Sequence, residues 1–277
     1  MILLGRLLNK SKPEPVKRNL MSNLKAVLID LSGTLHIEDE STPEAVKALN
    51  RLRKCDLNIK FLTNTTKESR RNLHERLLKL GFQIKVDEIY TSLWAARELI
   101  IKEQLNNPLL LVDDNALEDF IDVNVKDDKY DAVVIGLAPQ HFNRTTLNKA
   151  FRILLDGGRF IAINKSKYYM RKEGLALAAG AIVKSLEYAT GIEATIVGKP
   201  NAEFFQGALD GFKPDETVMI GDDVLDDIGG ARNLGIRGYL VKTGKYRAGD
   251  ENKIDPAPFK CVDCFSAAVE DIVSSLR

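Results

Sequence analysis

Cysteine and long apolar runs are scarce in this chain. Only Cys55, Cys261 and Cys264 occur among 277 residues. Three thiols cannot build a disulfide framework, which excludes a small stapled secretory scaffold and suits a reducing compartment. No apolar stretch approaches the roughly 18 residues that a membrane-spanning helix needs. An excess of one charge is lacking too: 40 Lys and Arg against 39 Asp and Glu leave +1. That is far from the basic surplus that binding a phosphate backbone favours, so neither nucleic acid nor membrane is an expected partner. With 44% hydrophobic residues, the chain can bury a full core, and its length allows one large domain or two modest ones.

Residues 1–23 stand apart as a basic N-terminal extension. Up to Lys25 there are six basic residues (Arg6, Lys10, Lys12, Lys17, Arg18, Lys25) against Glu14 alone, a net of +5 that leaves −4 on the remainder. A basic, nearly acid-free, partly amphipathic start is also what a mitochondrial presequence looks like. The expected location is therefore cytoplasmic, with mitochondrial as the alternative if the extension is a presequence.

From Ala26 onward, short apolar runs alternate with amphipathic stretches, as in parallel strands joined by helices. The strand candidates are AVLID, NIKFLT, PLLLVD, DAVVIG, RFIAI, ATIVG, TVMIG and GYLV. Helices are expected over 42–54, opening with Thr42 as cap and Pro43, over 67–80, ending at Gly81, and over 147–155, 175–190, 202–211, 226–234 and 267–276. Open α/β sheets place their chemistry beyond the carboxyl ends of their strands. Four such ends are polar: Asp30 with Ser32, Gly33 and Thr34; Thr63 with Asn64; Gly198, Lys199 and Pro200; and Gly221 with Asp222, Asp223, Asp226 and Asp227. If these strands were neighbours, carboxylates, a hydroxyl and a lysine would converge. Such a set can hold a hard divalent cation against a phosphate.

The order D-x-x-G-T, T-N, K, G-D-x-x-x-x-D resembles the haloacid dehalogenase superfamily, over about residues 24–277. The long insert between Asn64 and Lys199 looks like the α/β cap of its NagD-like branch. The resemblance implies an α/β fold, a Rossmann-like parallel-sheet core (24–105 and 176–277) with an inserted α/β cap domain (106–175). It implies a phosphohydrolase in which Asp30 is the nucleophile and Lys199 offsets charge on it and on the phosphoryl group. Thr63 and Asn64 would bind that group. Mg²⁺ would be held by Asp30, the backbone carbonyl of Ser32 and Asp222, with Asp227 behind them. The expected partner is a small phosphorylated substrate, and a homodimer through the cap is a further expectation.

One position departs from the pattern. The superfamily's phosphatases usually read D-x-D-G, with the second aspartate as general acid and base, and here it is Ser32. A serine hydroxyl cannot serve as a carboxylic acid near neutral pH. The alternative to a working enzyme is therefore a phosphate-binding sensor or scaffold with little turnover. A pyrophosphate-phosphatase group within the superfamily is similar in wording and also reads D-x-S-G.

Other features carry simpler expectations. Residues 164–172 cluster Lys165, Lys167, Arg171 and Lys172 around Tyr168 and Tyr169, with Lys165 as a candidate contact to an anionic substrate. Cys261 and Cys264 have zinc spacing without the second pair a zinc site needs. Lys242, Lys245 and Arg247 are read as a surface loop.

Overall fold

The computed structural model describes residues 21, 23–123, 129–171 and 174–276. Most of the basic extension, and Lys172 of the basic cap stretch, lie outside them. The elements in chain order are β1 (Ala26–Asp30), β2 (His36–Ile37), β3 (Glu40–Ser41), α1 (Ala45–Leu52), β4 (Asn58–Thr63), α2 (Arg70–Lys79), β5 (Ile89–Thr91), α3 (Ser92–Lys102), β6 (Pro108–Leu111), β7 (Ala132–Ile135), α4 (Arg144–Leu155), β8 (Arg159–Ala162), β9 (Tyr168–Arg171), β10 (Gly174–Leu177), α5 (Ala179–Thr190), β11 (Thr195–Ile196), α6 (Ala202–Leu209), β12 (Thr217–Gly221), α7 (Gly230–Asn233), β13 (Arg237–Val241), β14 (Lys260–Val262) and α8 (Phe265–Ser275). No helix among the described residues is long and apolar enough to cross a membrane.

Six strands form a parallel sheet in the order β14-β13-β12-β1-β4-β5. Every residue of β1, β12 and β13 is buried, as expected of a parallel sheet covered on both faces. Because side chains alternate along a strand, Val27 and Ile29 face one cluster and Leu28 the other. The first cluster receives Ala45, Leu49 and Leu52 of α1, together with Phe265, Ala268, Val269 and Ile272 of α8. In both helices these positions recur at the three- and four-residue spacing that makes one apolar stripe.

A second parallel sheet runs β11-β8-β7-β6. Val133, Ile135, Phe160 and Ala162 on one of its faces pack with Ala150, Ile153 and Leu154 of α4 and Ala179, Val183 and Leu186 of α5. Val134 and Ile161, on the other face, join the cluster that contains Leu28, Leu62 and Met219 of the first sheet, with α3 and α6. The two sheets thus share apolar contacts.

The inserted unit extends further than expected. The expected return to the core at residue 176 is corrected, because β11 pairs with β8 and α5 packs in the second sheet's own cluster. A short apolar run such as ATIVG carries no local mark of which sheet it will join. Lys199 therefore leaves an edge strand of the second sheet rather than a strand of the first. Thr42 does not cap α1: its hydroxyl donates to the carbonyls of Thr34 and Leu35, and Glu44 holds the cap position in a left-handed conformation. Residues 174–177 form a strand, not the first turn of a helix. Helix α2 stops as expected, with Gly81 following at φ +92. Strands β5 and β14 and helix α3 had no counterpart in the sequence reading.

Phe61 of β4 is fully buried in the first cluster. Phe61→Ala is expected to cost about 3–5 kcal/mol of unfolding free energy in urea titration. A loss below about 1 kcal/mol would mean that this face repacks freely.

Candidate active site

Strand order brings the polar ends together. β1 lies between β12 and β4, all parallel, so Asp30, Thr63 and the residues following Gly221 emerge at the same edge. This is the point where the chain's connections diverge to either side of the sheet, the place where open α/β sheets form a crevice.

Asp30, Asp222 and Asp227 are all buried, and one carboxylate oxygen from each lies within 4.8 Å of the others. Lys199, also buried, donates to Asp30 Oδ1 at 2.5 Å, to Asp227 Oδ1 at 2.6 Å and to the Leu62 carbonyl at 3.4 Å. Asp227 is delivered by a wide turn after Asp223, whose carbonyl accepts from the amides of both Asp227 and Ile228. This is the i to i+5 bonding of a π-helical turn, Val224–Gly229, a form that recurs at functional sites. The Asp223 carboxylate caps it through the amides of Leu225 and Asp226, and Asp227 Oδ2 accepts from the Asp223 amide at 3.1 Å.

The Asn64 carboxamide both donates to the Lys199 carbonyl at 3.0 Å and accepts from its amide at 2.9 Å. This pairing fixes the lysine's backbone. Thr63 is buried, and its hydroxyl accepts from the Thr65 amide at 3.1 Å. Gly33 is left-handed at φ +96, and a Cβ there would lie 2.2 Å from Asp222 Oδ2, so only glycine fits against that carboxylate. Ser32, one residue before it, is exposed.

Electrostatics follow from crowding. Burial, then the charge of Asp30, hold both Asp222 and Asp227 well above the usual carboxylate range. Burial alone would lower the Lys199 ammonium, but Asp227 and Asp30 outweigh it and keep the lysine firmly protonated. The centre has three carboxylates around one buried ammonium. The second oxygen of Asp30 is buried and has no hydrogen-bond partner among the described residues. Three buried carboxylates against a single ammonium leave oxygen donors in negative excess, and such a set fits a hard divalent cation held by Asp30 and Asp222, with Asp227 beside them.

Lys165 is engaged elsewhere. Its ammonium pairs at 2.6 Å with Glu187 of α5, which also takes Lys184 at 2.8 Å and the Ala194 amide at 3.0 Å. In this arrangement Lys165 ties the loop after β8 to α5. His36 is buried, its Nδ1 2.8 Å from the Glu38 carbonyl. The sequence reading missed the loop after β13. The Lys245 amide donates to Asp222 Oδ2 at 2.7 Å, and Lys245 Nζ lies 3.0 Å from Asp223 Oδ2. The available signal was position, since this loop follows the carboxyl end of the strand beside β12.

Fold and centre together define a Rossmann-like α/β protein with an Asp–Lys–Asp core at the sheet's switch point and an inserted α/β unit. The chain belongs to the haloacid dehalogenase-like hydrolase family. The model of that description matches residues 27–126, and a second, HAD-hydrolase-like model matches residues 196–268. The chain is 58% identical to haloacid dehalogenase-like hydrolase domain-containing protein 2 of Bos taurus over 91% of this chain and 97% of that protein. It is 36% identical to the phospholysine phosphohistidine inorganic pyrophosphate phosphatase of Xenopus laevis, over 92% and 96%. Among solved structures, the 4-nitrophenylphosphatase of Thermotoga maritima superposes with a TM-score of 0.84 at 24% identity, covering 91% of this chain and 99% of that one.

Raised carboxylates have a consequence for stability. Above the ordinary aspartate value of 3.8, the folded metal-free protein holds protons on Asp222 and Asp227 that the unfolded chain has released. Where the folded state binds more protons, stability falls as pH rises. In chelator-treated protein these groups should therefore lower the Tm between pH 5 and 8. A divalent cation should raise the Tm more at pH 8 than at pH 5, and equal shifts at both would contradict the acidic pair as its site.

Proposed function

We propose that the chain is a Mg²⁺-dependent phosphohydrolase that acts through an aspartyl-phosphate on Asp30, on a small phosphorylated molecule, pyrophosphate or a phosphoramidate. The observation that carries this is the Asp30 carboxylate itself. One oxygen is held by Lys199, and the other, beside two further acids, has no hydrogen-bond partner among the described residues. A carboxylate fixed through one oxygen presents the other for attack.

In the first step the free oxygen of Asp30 bonds to phosphorus while the bond from phosphorus to the leaving group breaks. In the second, water attacks the same phosphorus and Asp30 leaves as a carboxylate, so one hard displacement becomes two easier ones. Lys199 neutralises charge on Asp30 and would do so on the transferring oxygens, which the Thr63 hydroxyl and Asn64 backbone would orient. Mg²⁺ bound by Asp30 and Asp222 would offset the negative charge of the phosphoryl group. Phosphatase relatives support the reaction class.

Ser32 sets the substrate preference. Without a carboxylic acid at that position, an alkyl phosphate must expel a poor alkoxide, whereas pyrophosphate and aryl phosphates release stabilised anions and phosphoramidates carry a protonatable nitrogen. General acid catalysis is typically worth about 10² to 10⁴ in rate, and that is the deficit expected on alkyl esters. The second reading, a phosphate-binding sensor, rests on the same residue. Calorimetric binding beside a turnover assay separates them, since binding without release of inorganic phosphate favours the sensor.

Asp30→Asn should abolish turnover of p-nitrophenyl phosphate, because an amide is neither an effective nucleophile nor an anionic ligand; undiminished turnover overturns the assignment. Ser32→Asp should recover part of the alkyl-ester rate while changing the aryl rate much less. The measurement is kcat/KM for an alkyl and an aryl phosphate in both forms. If the unmodified protein hydrolyses both equally well, another group supplies the proton and the role given to Ser32 is wrong.

A further inference from the structure

The loop after β13 reads in sequence as a charged surface turn, yet its backbone closes one wall of the acidic centre. Thr243 Oγ1 donates to the Gly33 carbonyl at 2.5 Å. Two residues on, the Lys245 amide donates to Asp222 Oδ2 at 2.7 Å. Gly244 between them is left-handed at φ +53, and a Cβ there would lie 2.1 Å from Asp222 Oδ2 and 2.5 Å from Gly33 Cα. The Gly33 amide in turn donates to the His36 carbonyl at 2.7 Å. Both polar groups of Gly33, the residue directly after Ser32, are therefore engaged.

We infer that residues 243–245 form a clamp that sets the cation-binding geometry of the site, with Thr243 as a positioning residue. The physical need is clear from the charges. Asp222 lies close to Asp30 and Asp227, and like charges at this range repel in a buried setting. Left unrestrained, its carboxylate would lower that repulsion by turning away. A donated hydrogen bond to one oxygen fixes the plane of the group, and no hydrogen bond engages Oδ1 among the described residues. Thr243 acts one step back. By holding the Gly33 carbonyl it pins the turn that carries Ser32 and keeps Gly33 packed on Asp222, where a side chain would not fit.

This clamp is distinct from the roles proposed for Asp30 and Lys199, because neither Thr243 nor Gly244 needs to touch the substrate. Its loss should act on the cation first. Hydrogen-bond partners of ligating groups typically change metal affinity by about 10- to 100-fold when removed. Thr243→Val keeps the branched shape and deletes the hydroxyl, whereas Thr243→Ser keeps the hydroxyl and deletes a methyl group.

The inference rests on the Mg²⁺-dependent reading above, and its test separates the two. Mg²⁺ binding is measured by isothermal titration calorimetry and by the Mg²⁺-induced rise in Tm, alongside the Mg²⁺ dependence of p-nitrophenyl phosphate hydrolysis. Thr243→Val is expected to weaken Mg²⁺ binding about 10-fold or more and to shrink the Tm rise, with much of the lost kcat recovered at high Mg²⁺. Thr243→Ser should restore near-normal affinity. A Thr243→Val protein that is folded and binds Mg²⁺ as tightly as the unmodified protein overturns the clamp while leaving the functional reading intact. A general fall in Tm with unchanged Mg²⁺ affinity also overturns it, since that is what a merely structural threonine would give. If the unmodified protein neither binds Mg²⁺ nor releases phosphate, the functional reading itself fails.

Discussion

The buried ammonium of Lys199, lodged between Asp30 and Asp227, is the contact on which the rest of the centre depends. A carboxylate taken out of water is costly unless it is paired, and two of them side by side are costlier still. Lys199 makes their close approach tolerable, and it does so from outside the six-stranded sheet. It arrives on the loop leaving β11, with its backbone held by the Asn64 carboxamide on the loop leaving β4. The same few atoms that neutralise Asp30 also join the inserted unit to the sheet that carries it.

One ammonium does not balance three carboxylates. The imbalance shows in the raised Asp222 and Asp227 and in the unpartnered oxygen of Asp30. It is a familiar arrangement for a site that completes its charge balance with a cation and an anionic substrate together. The wide turn from Asp223 to Ile228 and the loop after β13 hold the acids in place from two sides, through backbone amides. Backbone donors suit this purpose because they are carried on packed elements and cannot rotate away as side chains can.

The inserted unit also has anchors away from the acidic centre. Its sheet lies between the cluster of α4 and α5 and the cluster that it shares with the six-stranded sheet. Lys165 and Lys184 converge on the buried Glu187, which also accepts from the Ala194 amide. Charges that look available for a ligand in the sequence are here used to fasten one loop, one helix and the approach to β11. Arg70 and Arg97 likewise stack on Trp94 rather than facing open solvent.

Local pattern was enough to determine the class of fold, the eight apolar runs that became strands, and the acidic, hydroxyl and lysine residues worth watching. Those signals are short-range: alternation, breakers and polar residues at the ends of apolar runs survive in any window of ten residues. Tertiary structure alone decided which sheet each run joins, so ATIVG, indistinguishable locally from a core strand, became an edge of the inserted sheet. It decided that Thr42 bonds back to Thr34 and Leu35, that Lys165 is spent on Glu187, and that Thr243, Gly244 and Lys245 line the site. The shared reason is that these outcomes depend on which partners the folded chain brings near: Thr42 meets Thr34 only through the turn between them, and Thr243 and Gly33, 210 residues apart, meet only through packing.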